Sequence, residues 1–354
     1  MPADQFVVEM LPADNGDCLL LTYGCSLTPQ RVIIDGGTAA TFPRLRRRIE
    51  ELPLNQRHFE LLIVTHIDSD HIDGVLPLLR AKELGVTFGD IWFNGWSHLI
   101  PPKSEFLGPR KGDILGNHLS MRTELPWNSM FNGKAVVVSD GAELPTHTLP
   151  GGMKLTLLSP TWRELAKLDA AWIEESFQQG RIPGERPAVL GSAISQLQNF
   201  PRSSFIHDHS AANGSSIAVL AEYQGKRCLF GADAFAGTLR ASLQRIPGVS
   251  GRVVLDAFKL PHHASQANVS VELIQAVQCS RYLVSTNGSL FGHPDDEALA
   301  RIFQSGQEVV ELFFNYDSQT TGKWRSFQPA LETGVRKYQA HYPTSPDGGL
   351  RIEL

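Results

Sequence analysis

The feature that most narrows the fold of this 354-residue chain is a junction: the apolar run Leu61-Leu62-Ile63-Val64 stops abruptly at Thr65-His66-Ile67-Asp68-Ser69-Asp70-His71. Four apolar residues bounded by polar ones have the length of a buried strand. The polar residues that follow then lie on a loop at a strand end, where rigid scaffolds present functional groups. His66, Asp68, Asp70 and His71 are too close to avoid one another. Two carboxylates this near repel as anions, and a divalent cation between them turns repulsion into attraction. Imidazole with carboxylate suits zinc, manganese or iron, whereas calcium takes oxygen ligands. A solvated turn would draw on Asn, Gly and Ser instead.

The rest of the chain supplies more strand ends of the same kind. Phe6–Leu11, Cys18–Tyr23 and Arg31–Ile34 read as strands joined by tight turns, the first at Asn15-Gly16-Asp17, the last running into Asp35-Gly36-Gly37. From Phe42 to Leu52 the period becomes helical, with Phe42, Leu45, Ile49 and Leu52 on one face. A helix over Val75–Leu84 and a strand over Asp90–Phe93 follow. Regularity weakens between Asn94 and His209, so residues 95–208 are expected to be an insertion or cap, holding a strand pair at Ala135–Val138 and Lys154–Leu158 and a helix from Thr161 to Phe177. Strands resume at Ser216–Tyr223 and Cys228–Phe230, the second ending in Gly231-Ala232-Asp233. Two strand-helix units close the pattern, one ending in Pro261-His262-His263 and one in Gly292-His293-Pro294. Early grouped strands, later strands alternating with helices, and polar residues at strand ends predict an αββα sandwich of the α+β class, one domain over 1–354.

Composition excludes other classes. With 42% hydrophobic and 19% charged residues the chain is neither disordered nor fibrous, and a net charge of −5 gives no overall field for polyanions. Four cysteines without a paired Cys-x-x-Cys spacing fit a reducing cytoplasm. No stretch of about 18 apolar residues is present and the N-terminus lacks a basic start, so a soluble, cytoplasmic protein without a membrane partner is expected.

The run Thr65-His66-Ile67-Asp68-Ser69-Asp70-His71-Ile72-Asp73-Gly74 resembles the metal-binding signature of the metallo-β-lactamase-fold hydrolases, with Asp68 where many members have a second histidine. Ile33-Ile34-Asp35-Gly36-Gly37, Phe230-Gly231-Ala232-Asp233 and Lys259-Leu260-Pro261-His262-His263-Ala264-Ser265 resemble further motifs of that family, in the same order. With Gly292-His293-Pro294 they are most similar to the hydrolase-like domain of bacterial DNA-uptake channel proteins. The resemblance implies a metallo-β-lactamase-like sandwich with an inserted cap region and two divalent metal ions, zinc or manganese. His66 and Asp68 would bind the first, Asp70 and His71 the second, and Asp233 both. A histidine of the His262-His263 pair would complete the second set, with His262 preferred. Asp35 would orient a ligand histidine from behind. The alternatives are a cap or turn role for Asp35 and a helix cap for Asp233.

For the remaining ligand of the first metal, two residues stand open: His209, and Asn213 within the stretch Asn213–Ser216. His293 is read as a group that stabilises charge or protonates a leaving atom, or else as a helix cap. The remaining histidines read as packing or surface residues, with His98 and His118 the nearest to a substrate-facing position. The function implied is hydrolysis by a metal-activated water, with Asp70 or Asp233 orienting the nucleophile. A phosphodiester is the expected substrate, as nucleic acid or cyclic nucleotide. The alternatives are an ester, thioester, lactone or lactam hydrolase on the same centre, and a silent binding module of the same fold.

Overall fold

The computed structural model describes residues 3–99, 110–178, 207–304, 307–329, 333–345 and 347–354. The first sheet starts with strands β1 (Asp4–Met10), β2 (Leu19–Cys25), β3 (Gln30–Ile34), β4 (Leu61–Ile63) and β5 (Ile91–Trp92). The second holds β6 (Thr146–Thr148), β7 (Lys154–Ser159), β8 (Ala218–Tyr223), β9 (Lys226–Phe230), β10 (Ala257–Lys259), β11 (Arg281–Val284), β12 (Val309–Phe314) and β13 (Lys337–His341). A last strand, β14 (Leu350–Glu353), returns to the first sheet and pairs antiparallel with β1, giving the order β14-β1-β2-β3-β4-β5. The second sheet runs β13-β12-β11-β10-β9-β8-β7-β6. In each sheet the early strands are antiparallel and those that bear the polar strand ends are parallel.

Period-two burial explains how the sheets stack. Leu19 and Leu21 of β2, Val32 and Ile34 of β3, and Leu61 and Ile63 of β4 pack with Val219, Leu229 and Phe258 of the opposite sheet. The intervening Leu20, Ile33 and Leu62 turn outward against Leu45 and Ile49 of α1 (Phe42–Glu50) and Val75 and Leu78 of α3 (Val75–Arg80), which follows the single turn α2 (Ser69–Ile72). Over β3 and β4 neither face of the sheet meets water, so these strands carry near-continuous apolar runs, as buried parallel strands do. Helices α4 (Arg110–Met121), α5 (Trp162–Gln178), α6 (Ala211–Gly214), α7 (Ala236–Leu243), α8 (Val271–Gln275) and α9 (Asp296–Phe303) complete the outer layers of the αββα sandwich. No helix among the described residues is long and apolar enough to cross a membrane.

Within 95–208 the structure departs from the expected strand pair. Lys154–Ser159 is a strand, but its hairpin partner is Thr146–Thr148, and both belong to the second sheet. Ala135–Val138 alternates as a strand would, Val136 and Val138 facing one core and Ala135 and Val137 the other. Its hydrogen bonds go elsewhere: Asn94 grips the backbone of Val136 at both ends, and the Val138 N–H reaches the Pro160 carbonyl. A side-chain amide thus takes the place of a neighbouring strand. The part of the expected cap that spans 179–206 lies outside the described residues.

Candidate metal centre

The chemistry gathers at the carboxyl ends of parallel strands, the usual ligand edge of such sheets. After β3 comes Asp35, after β4 Thr65 and His66, after β9 Asp233, after β10 the turn Pro261–Ala264, and after β11 Ser285. Helix α2 starts directly after Asp68 and its single turn carries Asp70 and His71. The Asp35-Gly36-Gly37 turn locks this helix in place, since the Gly36 N–H reaches the His71 carbonyl at 2.8 Å and a Cβ on Gly36 would lie 2.6 Å from the Val75 nitrogen.

Four histidines point one ring nitrogen inward, and in each case the other nitrogen fixes the choice. His71 Nδ1 lies 2.7 Å from Asp35 Oδ2, an acceptor, so it carries the proton. The Thr65 hydroxyl donates to Asp35 at 2.7 Å and therefore accepts from His66 Nδ1 at 3.0 Å. His263 Nδ1 donates to the Ser285 carbonyl at 2.8 Å. Asn268 spends its amide hydrogens on Asp208 and on the Asp233 carbonyl, so its oxygen faces His262 Nδ1 at 2.8 Å. In the neutral form of each ring this leaves Nε2 as an inward lone pair, the form that binds metal.

Asp233 is the hub at which they converge. Its carboxylate oxygens lie 3.5 Å from His71 Nε2, 3.7 Å from His262 Nε2 and 3.8 Å from both His66 Nε2 and His263 Nε2. His66 Nε2 is 3.6 Å from Asp68, and His263 Nε2 is 3.7 Å from Asp70 and 3.3 Å from His71 Nε2. Two ligands about 2.1 Å from one tetrahedral ion stand about 3.4 Å apart, so these separations suit shared cations better than direct bonds. His66 Nε2 and Asp233 Oδ1 are buried with no hydrogen-bond partner, which such an ion would satisfy. Among the described residues the ligand atoms fall into groups, two of which are His66-His71-Asp233 and Asp70-His71-His263. The donor set therefore fits two divalent cations.

Electrostatics carry the same sign. Burial disfavours charge on His71, but Asp233 and Asp35 outweigh it and hold the imidazolium well above its ordinary range. Burial likewise works against charge on Asp233, yet His71, His262 and His263 hold its carboxyl well below the usual value. His262 is pushed up to about 9 against its own burial, with Asp233 the main cause. Protons are drawn to the atoms a cation would occupy.

The residues singled out from sequence separate here. Of the His262-His263 pair, in which His262 is the one preferred from sequence for the second set, it is His263, only 1% exposed, that lies with Asp70 and His71, whereas His262 is 22% exposed and leans on Asp208 and Asn268. Asp35 is buried behind His71 and Thr65 and caps no helix. Nor does Asp233, because α7 has Phe235 at its N-cap. Asn213 is buried, with its side-chain nitrogen 2.7 Å from Asp208 and 3.4 Å from His262 and its oxygen without a hydrogen-bond partner. His209 is exposed, with its ring against His207, and joins none of the ligand groups. His293 stands at the rim, its ring centroid 5.4 Å from that of His262 and its Nδ1 3.3 Å from Asp295. His98 turns out to be a packing residue, against Trp127, with burial lowering it to about 4.

Sequence reading missed the residues that serve the ligands: Asp17, Thr65, Asp208, Lys259, Asn268 and Ser285. Only Lys259 left a signal, a charge at the end of the apolar strand β10 that must be paired when buried.

Residues 25–99 match the model of the metallo-beta-lactamase superfamily. No curated protein matches the chain. Among solved structures, the metallo-beta-lactamase fold protein YhfI from Bacillus subtilis aligns over 99% of this chain and 100% of its own, at 12% identity and TM-score 0.45. Igni18, a metallo hydrolase from the archaeon Ignicoccus hospitalis, aligns over 98% and 99%, at 12% identity and TM-score 0.40. CmlA, a diiron beta-hydroxylase from Streptomyces venezuelae, aligns over 99% of this chain but 54% of its own, at 14% identity and TM-score 0.41.

Proposed function

Since the chain is a metallo-β-lactamase-fold protein, of a superfamily made up mostly of metal-dependent hydrolases, we propose that it hydrolyses phosphodiesters, as a nuclease or a cyclic-nucleotide phosphodiesterase. The observation that carries the hydrolase reading is the inward aim of four Nε2 lone pairs around the Asp233 carboxylate. His66, Asp68 and Asp233 would hold one divalent cation, and Asp70, His71, His263 and Asp233 the other, each zinc or manganese. Such a pair supplies a water acidic enough to attack at neutral pH and positive charge for developing oxyanions.

The chain's own groups do the rest. Asp70 is held by the Asn15 amide at 2.9 Å, which leaves its carboxylate one firm orientation for an attacking water. Asp233 keeps its charge because three imidazoles surround it. His293, with Nδ1 facing Asp295, offers Nε2 to protonate a leaving oxygen. The neighbours of the candidate ligands are polar, Asn15 beside Asp70 and Asn213 and His293 beside His262, which supports phosphoryl oxygens over an acyl chain. We read the chain as one domain and α4 and α5 as the described part of its cap: a Cβ on Gly112 would lie 2.8 Å from Trp172 and 3.0 Å from Ile67 in the metal loop.

The test is a screen of zinc- and manganese-loaded protein against bis-p-nitrophenyl phosphate, single-stranded DNA, RNA, cyclic nucleotides and a thioester, with Asp70→Ala as control. Turnover of a phosphodiester that disappears together with bound metal in Asp70→Ala is expected. Turnover of the thioester alone overturns the substrate class, and unchanged metal content in Asp70→Ala overturns the ligand assignment.

A further inference from the structure

Behind the second ligand group lies a charge pair the hydrolytic reading does not use. Lys259, fully buried at the end of β10, pairs its ammonium with the Asp17 carboxylate, itself 1% exposed, on the loop between β1 and β2. One comes from each sheet. The other carboxylate oxygen of Asp17 is buried without a hydrogen bond and stands 3.5 Å from His263 Nδ1. The same loop grips Asp70. The Asp17 N–H reaches the Asp70 carbonyl at 3.2 Å, Asn15 holds the Asp70 carboxylate, and Gly16 packs so closely that a Cβ would lie 1.7 Å from the Asp70 oxygen. The Gly16 carbonyl in turn accepts from Ser285, whose own carbonyl takes the His263 proton.

Asp17, Asp35 and His71 also form a third buried group of potential ligand atoms, all within 4.8 Å of one another. Two buried carboxylates there need a cation, and the Lys259 ammonium supplies one from the chain itself.

We propose that Asp17 and Lys259 are a positioning pair for the second metal site, Lys259 clamping the 15–17 loop so that it sets His263 and Asp70 at once. This rests on the metal-hydrolase reading. Asp35 accepts directly from His71, whereas Asp17 places a charge 3.5 Å from the ring nitrogen of His263 that faces away from the ion, beside the Ser285 carbonyl that takes its proton. Lys259 lets that carboxylate stay buried at a depth where an unpaired charge would not.

The experiment compares the full-length protein with Asp17→Asn and with the double variant Asp17→Asn, Lys259→Met, which removes both charges at nearly constant volume. Each is titrated with cobalt(II) against a chelator, its visible spectrum is recorded, and its metal-free melting temperature is measured. The double variant is expected to melt near the parent temperature yet bind the second cobalt about tenfold to a hundredfold more weakly, with a shifted ligand-field band. Asp35→Asn serves as the positive comparison. A folded double variant with parental affinity and spectrum overturns the proposal. So does a double variant that fails to fold, which assigns the pair to the fold itself. A parent protein that binds no cobalt, zinc or manganese overturns the metal reading and the pair with it.

Discussion

Asp35 shows how one side chain can settle the state of two others. It accepts from the Thr65 amide and hydroxyl and from His71, so one carboxylate fixes the proton of His71 directly and that of His66 through Thr65. The raised histidines give the metal-free protein a definite pH dependence. His262 has a folded value of about 9 against an ordinary 6.5, so its stabilisation is complete below 6.5 and is lost as the pH climbs through 9. His71, raised well above its ordinary value, changes in the same direction, whereas Asp233 loses its contribution only as the pH falls through a value below 3.8. The metal-free melting temperature is therefore expected to fall between pH 6.5 and 9, while apparent zinc affinity rises as ions replace protons. Melts with chelator and with zinc across that range check both signs. The candidate ligands could be picked out in the sequence, since His66, Asp70, His71 and Asp233 follow strand ends there. Their partners were not. Asn268, Ser285 and Thr65 hold ring nitrogens through an amide, a backbone carbonyl and a hydroxyl, and such groups occur everywhere along a chain.

At the scale of elements, turns decide the site more than helices or strands do. Gly16→Ala would drive a Cβ into the Asp70 carbonyl, and a cost of about 1–3 kcal/mol is expected, together with weaker metal binding because Asp70 must move. Gly237, exposed in α7 with open space around its missing Cβ, is the contrast: Gly237→Ala should leave metal binding unchanged and gain up to about 1 kcal/mol. Urea unfolding with parallel metal titration separates the two. Strand existence was readable because alternate residues face two different cores, as Leu61, Leu62 and Ile63 do. Val136 to Val138 misled the reading for the same reason. Their burial alternates, but Asn94 and Pro160, distant in sequence, satisfy the backbone that a neighbouring strand would have paired.

For the whole molecule, the candidate ligands divide between the sheets. His66, Asp68, Asp70 and His71 follow strands of the first, Asp233 and His263 strands of the second. Cations bound there would tie the layers, and free metal at a hundred times its Kd is expected to add about 2.7 kcal/mol to unfolding stability, a gain absent in Asp70→Ala. Melting in zinc against chelator measures it. The layered architecture was visible in the order of strands and helices, and the return of β14 to β1 was not, because no local pattern tells a strand which distant edge it will join. That return has a consequence for synthesis. Until residues 350–353 have been made, β1, which carries Val8 and Met10, has one edge unpaired. That edge of β1 is thus sealed only after the other strands of both sheets have been made, and until then it is open to pairing with a neighbouring nascent chain.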